Sequence, residues 1–233
     1  MNPLIRASRA LVSLLRNPDD LPQVFEIIES LSQPTYRRTW RRLRTTPAGL
    51  RLLGARSCLS ELLADRARLA TLPDGSLGRA YLAFMEREGI SAEGIVRASE
   101  AGGAKARGTT EREYVPERLR DSHDLWHVVT GYEGDLVGEL CLLAFTFAQL
   151  RNPALLLIVG GGASKGFLRG KYRLAWHAFD RGRRAAWLPE VAWEAWLAEP
   201  LEAVRARLRI DAPPVYEPVR SSELRARGKL AAL

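Results

Sequence analysis

Histidine occurs three times in the 233-residue chain, and two of the three stand four residues apart in Asp121-Ser122-His123-Asp124-Leu125-Trp126-His127. On a helix that spacing puts both imidazoles on one face, one turn apart, as two nitrogen ligands of one metal ion require. Asp124 lies about 100° round the helix axis from His123, so a carboxylate oxygen can swing in. Gly131 and Gly134 then let the chain turn, and Glu139 sits one turn inside a helix that begins near Asp135. If the two helices are antiparallel neighbours, Glu139 faces back toward His123 and His127. Two imidazoles with one or two carboxylates make a usable site for zinc, iron or manganese. The bare pair supports a plainer reading equally, two capped or exposed histidines with no ion. Glu139 adds a little weight to the metal. It is an acid among Leu136, Val137, Leu140, Leu142, Leu143, Phe145 and Phe147, where a carboxylate needs a partner.

Other chemistries fit less well. Phosphohydrolases of the His-Asp type need a histidine on an earlier helix, and none precedes His123. Zinc proteases of the H-E-x-x-H type carry glutamate where this chain has Asp124, and the D-D-x-x-D of prenyl-diphosphate enzymes is absent. The run Gly160-Gly161-Gly162-Ala163-Ser164-Lys165-Gly166 lacks the Gly-Lys-Ser/Thr order of a phosphate-binding loop. It reads as a flexible turn or a close backbone approach. Cys58 and Cys141 match no metal or redox spacing, which fits free thiols in a reducing compartment. His177 is far from the pair and reads as a satisfied structural histidine.

The elements that must position these residues are helical almost throughout. Apolar spacing predicts helices over residues 3–16, 20–32, 35–44, 47–53 and 57–66. Ser76 is an N-cap ahead of the stripe Leu77, Tyr81, Leu82 and Met85. Residues 90–110, with four glycines, read as a loop. Residues 115–132 read as one helix carrying the histidine pair, followed by helices over 135–151 and 167–181. A long helix over 189–209 has a break at Glu199-Pro200. After Pro213-Pro214 the charged tail to Leu233 reads as loose. Strand alternation, repeats and long linkers are missing. The expected fold is mainly α, with residues 1–214 as a single-domain helical bundle and 215–233 as a charged tail. A metal site lies between two helices beside an apolar lipid groove lined from residues 136–150 and 155–159. The plain alternative for the groove residues is core.

The composition is that of a soluble globular chain, 46% apolar and 27% charged. Residues 136–163, the nearest thing to a membrane span, are interrupted by Glu139, Gln149, Arg151, Asn152 and Pro153. The net charge of +8 admits phosphate-bearing partners, nucleic acid or anionic membrane. Zinc-finger spacing, RNP aromatics and a helix-turn-helix are all missing, so no nucleic acid is expected. Arg37, Arg38, Arg41, Arg42 and Arg44 crowd round Trp40 as a phosphate-binding face or, more commonly, a solvated one. Only four of the 35 basic residues are lysines, which suggests a GC-rich bacterial genome. The N-terminus is basic and lacks acids until Asp19, as transit peptides do. Leu4, Leu11, Leu14 and Leu15 also fit one helix face, and an ordinary first helix, or one resting on a membrane, is expected.

The motif residues resemble a known family. His123-Asp124-x-x-His127 followed by Glu139 is similar to the signature of the fourth Coq protein of ubiquinone (coenzyme Q) biosynthesis. So are the segments Leu72-Pro73-Asp74-Gly75-Ser76-Leu77-Gly78, Arg181-Gly182-Arg183-Arg184-Ala185 and Leu208-Arg209-Ile210-Asp211-Ala212-Pro213-Pro214. The likeness runs from about Pro3 to Pro214 in order, which places the N-terminus in the domain. It implies a divalent metal held by His123, Asp124, His127 and Glu139, zinc first, with iron, manganese or cobalt as other ions. It implies oxidative decarboxylation at ring C1 of a polyprenylated benzoate-type intermediate, the carboxyl replaced by hydroxyl. A non-catalytic lipid-binding scaffold for the pathway's other enzymes is the alternative, and a metal-dependent hydrolase a third option. The implied partners are the prenylated ring, other ubiquinone-biosynthesis enzymes and a membrane surface, with self-association left open. For a bacterial chain the implied place is the cytoplasmic face of the inner membrane.

Overall fold

Short polar side chains and prolines fix most helix starts. The computed structural model describes residues 2–105, 107–228 and 230. In the N-terminal half the helices are α1 (Pro3–Arg16), α2 (Leu21–Leu31), α3 (Gln33–Leu43), α4 (Pro47–Ala55), α5 (Leu59–Ala64), α6 (Arg66–Ala70), α7 (Leu77–Glu88) and α8 (Ala92–Ala101). The C-terminal half adds α9 (Glu111–Asp121), α10 (His123–Thr130), α11 (Leu136–Leu150), α12 (Pro153–Ser164), α13 (Tyr172–Arg184), α14 (Trp193–Trp196), α15 (Leu201–Leu208) and α16 (Ser221–Ala226). Among the described residues there is no sheet strand, only one isolated bridge between Ser76 and Pro200. The fold is all-α, and no described helix is long and apolar enough to cross a membrane. Ser76, Ser91, Asp135 and Asn152 each accept a backbone N–H in the first turn of the helix they start, and Thr110 completes a capping box with Glu113.

The main core gathers α7, α10, α11, α13 and α15 around Tyr81, Leu125, Val137, Phe145 and Trp193. The helices α11 and α13 meet almost backbone to backbone. A Cβ on Gly182 would lie 2.4 Å from the Phe145 carbonyl oxygen. The short helix α10 is clamped at its C-terminal end by two buried arginines. Arg205 donates to the carbonyls of Val128 and Val129 at 2.9 and 3.0 Å, and Arg181 to that of Thr130 at 3.0 Å. Cations there also offset the negative end of the helix dipole.

Several expectations are corrected. Residues 90–110 are not all loop, because the Ser91 cap starts α8 in spite of Gly94. The helix over 115–132 divides at Ser122, whose N–H turns to the carbonyls of Arg118 and Arg120. This puts His123 in the first turn of α10. The expected long helix over 189–209 is a 3₁₀ turn, α14 and α15, with Pro200 just before α15. Gly161 and Gly162 lie inside α12 rather than in a flexible turn. Cβ atoms there would come within 2.8 Å of Leu11 and 2.7 Å of Leu140, so the close-approach reading holds. His177 is exposed on α13 and not a buried structural residue. The tail is not loose over its described part: Tyr216, Val219, Arg220 and Arg225 all bond to the body. Residues 231–233 lie outside the described residues.

Candidate metal centre

Gly131 makes the turn that brings α11 back against α10. It closes α10 at a φ of 74°, and a Cβ there would strike Pro213 at 2.4 Å. Asp135 then caps α11, and Glu139 falls in its first turn. The result joins the four expected residues in one place. The imidazoles of His123 and His127 sit edge to face, 4.8 Å between ring centres. Oε1 of Glu139 lies 3.1 Å from Nε2 of His127, and Oε2 lies 3.8 Å from Nε2 of His123. Ligand atoms of His123, Asp124 and His127 lie within 4.8 Å of one another.

Hydrogen bonds decide which nitrogens are free. Nδ1 of His127 faces the Tyr132 carbonyl at 2.8 Å, and a carbonyl only accepts, so Nδ1 carries the proton. Nδ1 of His123 faces Oδ1 of Asp124 at 3.1 Å and donates by the same logic. Both Nε2 atoms therefore turn toward Glu139. Asp124 thus meets the other nitrogen of His123, while the Glu139 carboxylate faces Nε2 of both rings. The Phe84 ring stacks on His127 at 5.2 Å and holds its plane.

The electrostatics mark the same point. His127 is 1% exposed, and its Nε2 has no hydrogen-bond partner: Oε1 of Glu139 is near enough but off line. Burial alone pushes His127 toward its neutral form, but the carboxylates of Glu139 and Asp124 outweigh it and raise the pKa to about 9. Burial pushes Glu139 up, and the two histidines outweigh it and lower its pKa to about 2. A neutral Nε2 lone pair 3.1 Å from a carboxylate is repulsive, and only a proton or another cation between them relieves it. The donor set of two imidazole nitrogens and a carboxylate fits zinc, iron, manganese or cobalt.

The centre lies on the wall of a cavity of about 1090 Å3. Helix α11 has two faces. Leu136, Leu140, Leu143, Thr146 and Leu150, three or four residues apart, line the cavity together with Glu139. Val137, Cys141, Leu142 and Phe145 turn the other way and are fully buried in the core. One face of this stretch thus borders the cavity, and the other is core. Opposite the lining face stand Val24, Phe25 and Ile28 of α2, and Leu155 and Ile158 of α12 continue the apolar wall. Trp126 borders the cavity and is otherwise buried. Of the five clustered arginines, Arg38 donates to the Arg151 carbonyl at 2.9 Å, Arg42 stacks on Trp187 and Arg44 lies over Trp40, while Arg37 borders the cavity. Sequence reasoning did not find the Tyr132 carbonyl, the Phe84 stacking or the Arg205 clamp. Arg181 stood in a segment that resembles the family, without a role.

Known proteins resemble the chain along most of its length. A sequence model described as coenzyme Q (ubiquinone) biosynthesis protein Coq4 matches residues 2–214. The mitochondrial ubiquinone biosynthesis protein COQ4 homolog of Danio rerio is 30% identical over 213 residues, 88% of this chain and 74% of that protein. The homolog of Homo sapiens is 30% identical over 210 residues, 84% of this chain and 74% of that one. The fold is shared by a Nostoc punctiforme PCC 73102 crystal structure provisionally assigned to ubiquinone biosynthesis. Its TM-score is 0.71 at 20% identity, covering 91% of this chain and 98% of the other. The expected seat at the cytoplasmic face of a bacterial inner membrane is overturned by the curated relatives, whose names place them in mitochondria.

Proposed function

The chain belongs to the Coq4 family and serves ubiquinone biosynthesis, and from that premise we propose that it is a metal-dependent enzyme of ring decarboxylation and hydroxylation. The substrate is a polyprenylated ring carboxylic acid. Its C1 carboxyl group leaves as carbon dioxide and a hydroxyl group from water takes its place, while dioxygen accepts the two electrons and two protons released and leaves as hydrogen peroxide. The observation that carries the reading is the buried, unpartnered Nε2 of His127, facing Glu139 beside a large cavity with an apolar wall.

His123, His127 and Glu139 hold the ion, zinc, iron, manganese or cobalt by donor chemistry, and Asp124 orients His123. A bound divalent ion supplies Lewis acidity toward the ring carboxylate or phenolate. The protein's own part is positional. The Tyr132 carbonyl keeps the His127 proton on Nδ1, and Phe84 fixes the ring plane. The wall of Leu140, Leu143, Leu155 and Ile158 takes the prenyl tail, at about 0.8 kcal/mol for each methylene removed from water.

One observation favours the second reading, a scaffold for other ubiquinone-biosynthesis proteins at a membrane surface. Leu156, Tyr172 and Trp176 are 56%, 56% and 70% exposed on the outer surface, where a partner or lipid would cover them. Turnover separates the two. The purified protein, loaded with metal, is incubated with a prenylated 4-hydroxybenzoate-type acid under air and under nitrogen. Release of carbon dioxide with hydroxylated product under air alone supports the enzyme, and no turnover in either atmosphere supports the scaffold. Equal loss of carboxyl in both excludes dioxygen as oxidant.

A further inference from the structure

Residues after Pro214 lie beyond the segment matched to the family, yet they are bonded to the first turn of the helix that carries Glu139. The Tyr216 hydroxyl donates to Oδ2 of Asp135 at 2.7 Å and accepts the Glu133 N–H at 2.9 Å. The Val219 N–H donates to Oδ1 of the same carboxylate at 2.8 Å, and the Val219 carbonyl accepts the Leu136 N–H at 3.0 Å. Asp135 is 2% exposed. Its Oδ1 also takes the Val137 N–H at 3.0 Å, and its carbonyl takes the Glu139 N–H at 2.8 Å. Both carboxylate oxygens are thus used, and two of their three bonds come from the tail.

Local packing fits the tail to this turn. A Cβ on Gly138 would lie 2.5 Å from the Tyr216 hydroxyl and 2.8 Å from Oδ2 of Asp135. Its nearest neighbour would be the Glu133 carbonyl at 2.1 Å, so the turn itself requires glycine here, and the tyrosine packs into the same space. Two further anchors hold the tail elsewhere. Arg220 pairs with Glu88 at 2.9 Å, and Arg225 reaches Asp19 at 2.5 Å and Asn17 at 2.8 Å in the turn between α1 and α2.

The geometry points to Tyr216 and Val219 as positioning residues of the metal centre: through Asp135 they lock the first turn of α11 and so aim the Glu139 carboxylate at His123 and His127. This rests on the metal-centre reading above. The described part of the tail acts through the backbone of α11 and not through a bond to a proposed ligand. Partners at this remove from an ion tune its affinity by about 10–100-fold.

The test is a Co2+ titration of the full metal-free chain, followed by the visible d–d bands, which report ligand number and geometry. Wild type is compared with Tyr216→Phe, Val219→Pro and Arg225→Ala, each checked for folding by circular dichroism. The first removes one donor to Asp135, the second the other. The third releases the tail's far anchor only. Tyr216→Phe is expected to raise the Co2+ Kd about tenfold and to shift the bands. Val219→Pro does the same, while Arg225→Ala keeps the wild-type spectrum. A purely structural role would lower melting temperatures and leave the spectrum of folded protein unchanged. Wild type that takes up no Co2+ overturns the metal-centre reading and this one with it. Uptake by wild type with unchanged affinity and bands in folded Tyr216→Phe overturns the positioning role alone.

Discussion

Two acid–base pairs in this protein, each a buried base with a partly exposed acid, look alike on paper and differ in what they face. Arg118 on α9 and Glu194 on α14 form a two-pronged pair, with one prong at 2.8 Å. Ser57 donates to the same Glu194 carboxylate at 2.5 Å, and the Val191 carbonyl takes a further Arg118 proton at 2.9 Å. Neither residue borders the cavity. His127 and Glu139 are as close, but the histidine's inner nitrogen is unbonded and the acid opens on the cavity. The Arg118–Glu194 pair is closed off and joins two helices, with Arg118 Nε buried and without a hydrogen-bond partner. The His127–Glu139 pair leaves Nε2 of His127 unbonded beside a cavity. What separates the two is whether the pair opens on the cavity, since each base is buried and each keeps an unbonded nitrogen.

Breaking the closed pair has the largest expected effect. Arg118→Ala leaves Glu194 without its cation and costs about 3 kcal/mol of stability, read by urea unfolding at neutral pH. Burial pushes the Glu194 pKa up, but Arg118 outweighs it and holds it below the ordinary 4.5. A depressed carboxyl contributes stability above its unfolded pKa and loses it as pH falls through the folded one. Wild type therefore loses this contribution on the acid side, and Arg118→Ala flattens that limb. Metal bound per folded molecule stays at the wild-type level, and metal lost from the folded variant would contradict the division between the pairs.

The open pair answers to pH in the other direction. In the metal-free chain the raised His127 pKa means stability present below 6.5 and lost as pH rises through about 9. A metal ion displaces that proton, so Co2+ affinity climbs about tenfold per pH unit up to about pH 9, followed by titration in non-coordinating buffer. A flat profile between about pH 6 and pH 8 would mean that His127 gives up no proton to the ion.

The convergence of His123, His127 and Glu139 was legible because chemistry constrains their spacing. Four residues between histidines means one helix face, and an acid in an apolar helix needs a reason. The helical fold was legible from the same periodicity, with helix ends such as Ser76 and Asp135 marked by their caps. The break at Ser122 was not legible, since apolar spacing continues across it and only the bonding of its N–H reveals the tighter turn. The tail was misread for a related reason. Tyr216 and Val219 act through single hydrogen bonds to a residue some 80 positions earlier, and such long-range bonds leave no local pattern. Arg181 and Arg205 escaped notice because an arginine that caps carbonyls is indistinguishable in sequence from a solvated one.

The central claim is that His127 and Glu139 share a cation with His123. Elemental analysis of folded wild type and folded His127→Ala, purified without added metal and then equilibrated with one equivalent of divalent ion, tests it most directly. Close to one ion per wild-type chain and essentially none in the variant, with matching circular dichroism, is the expected result. Equal metal in both proteins would contradict it.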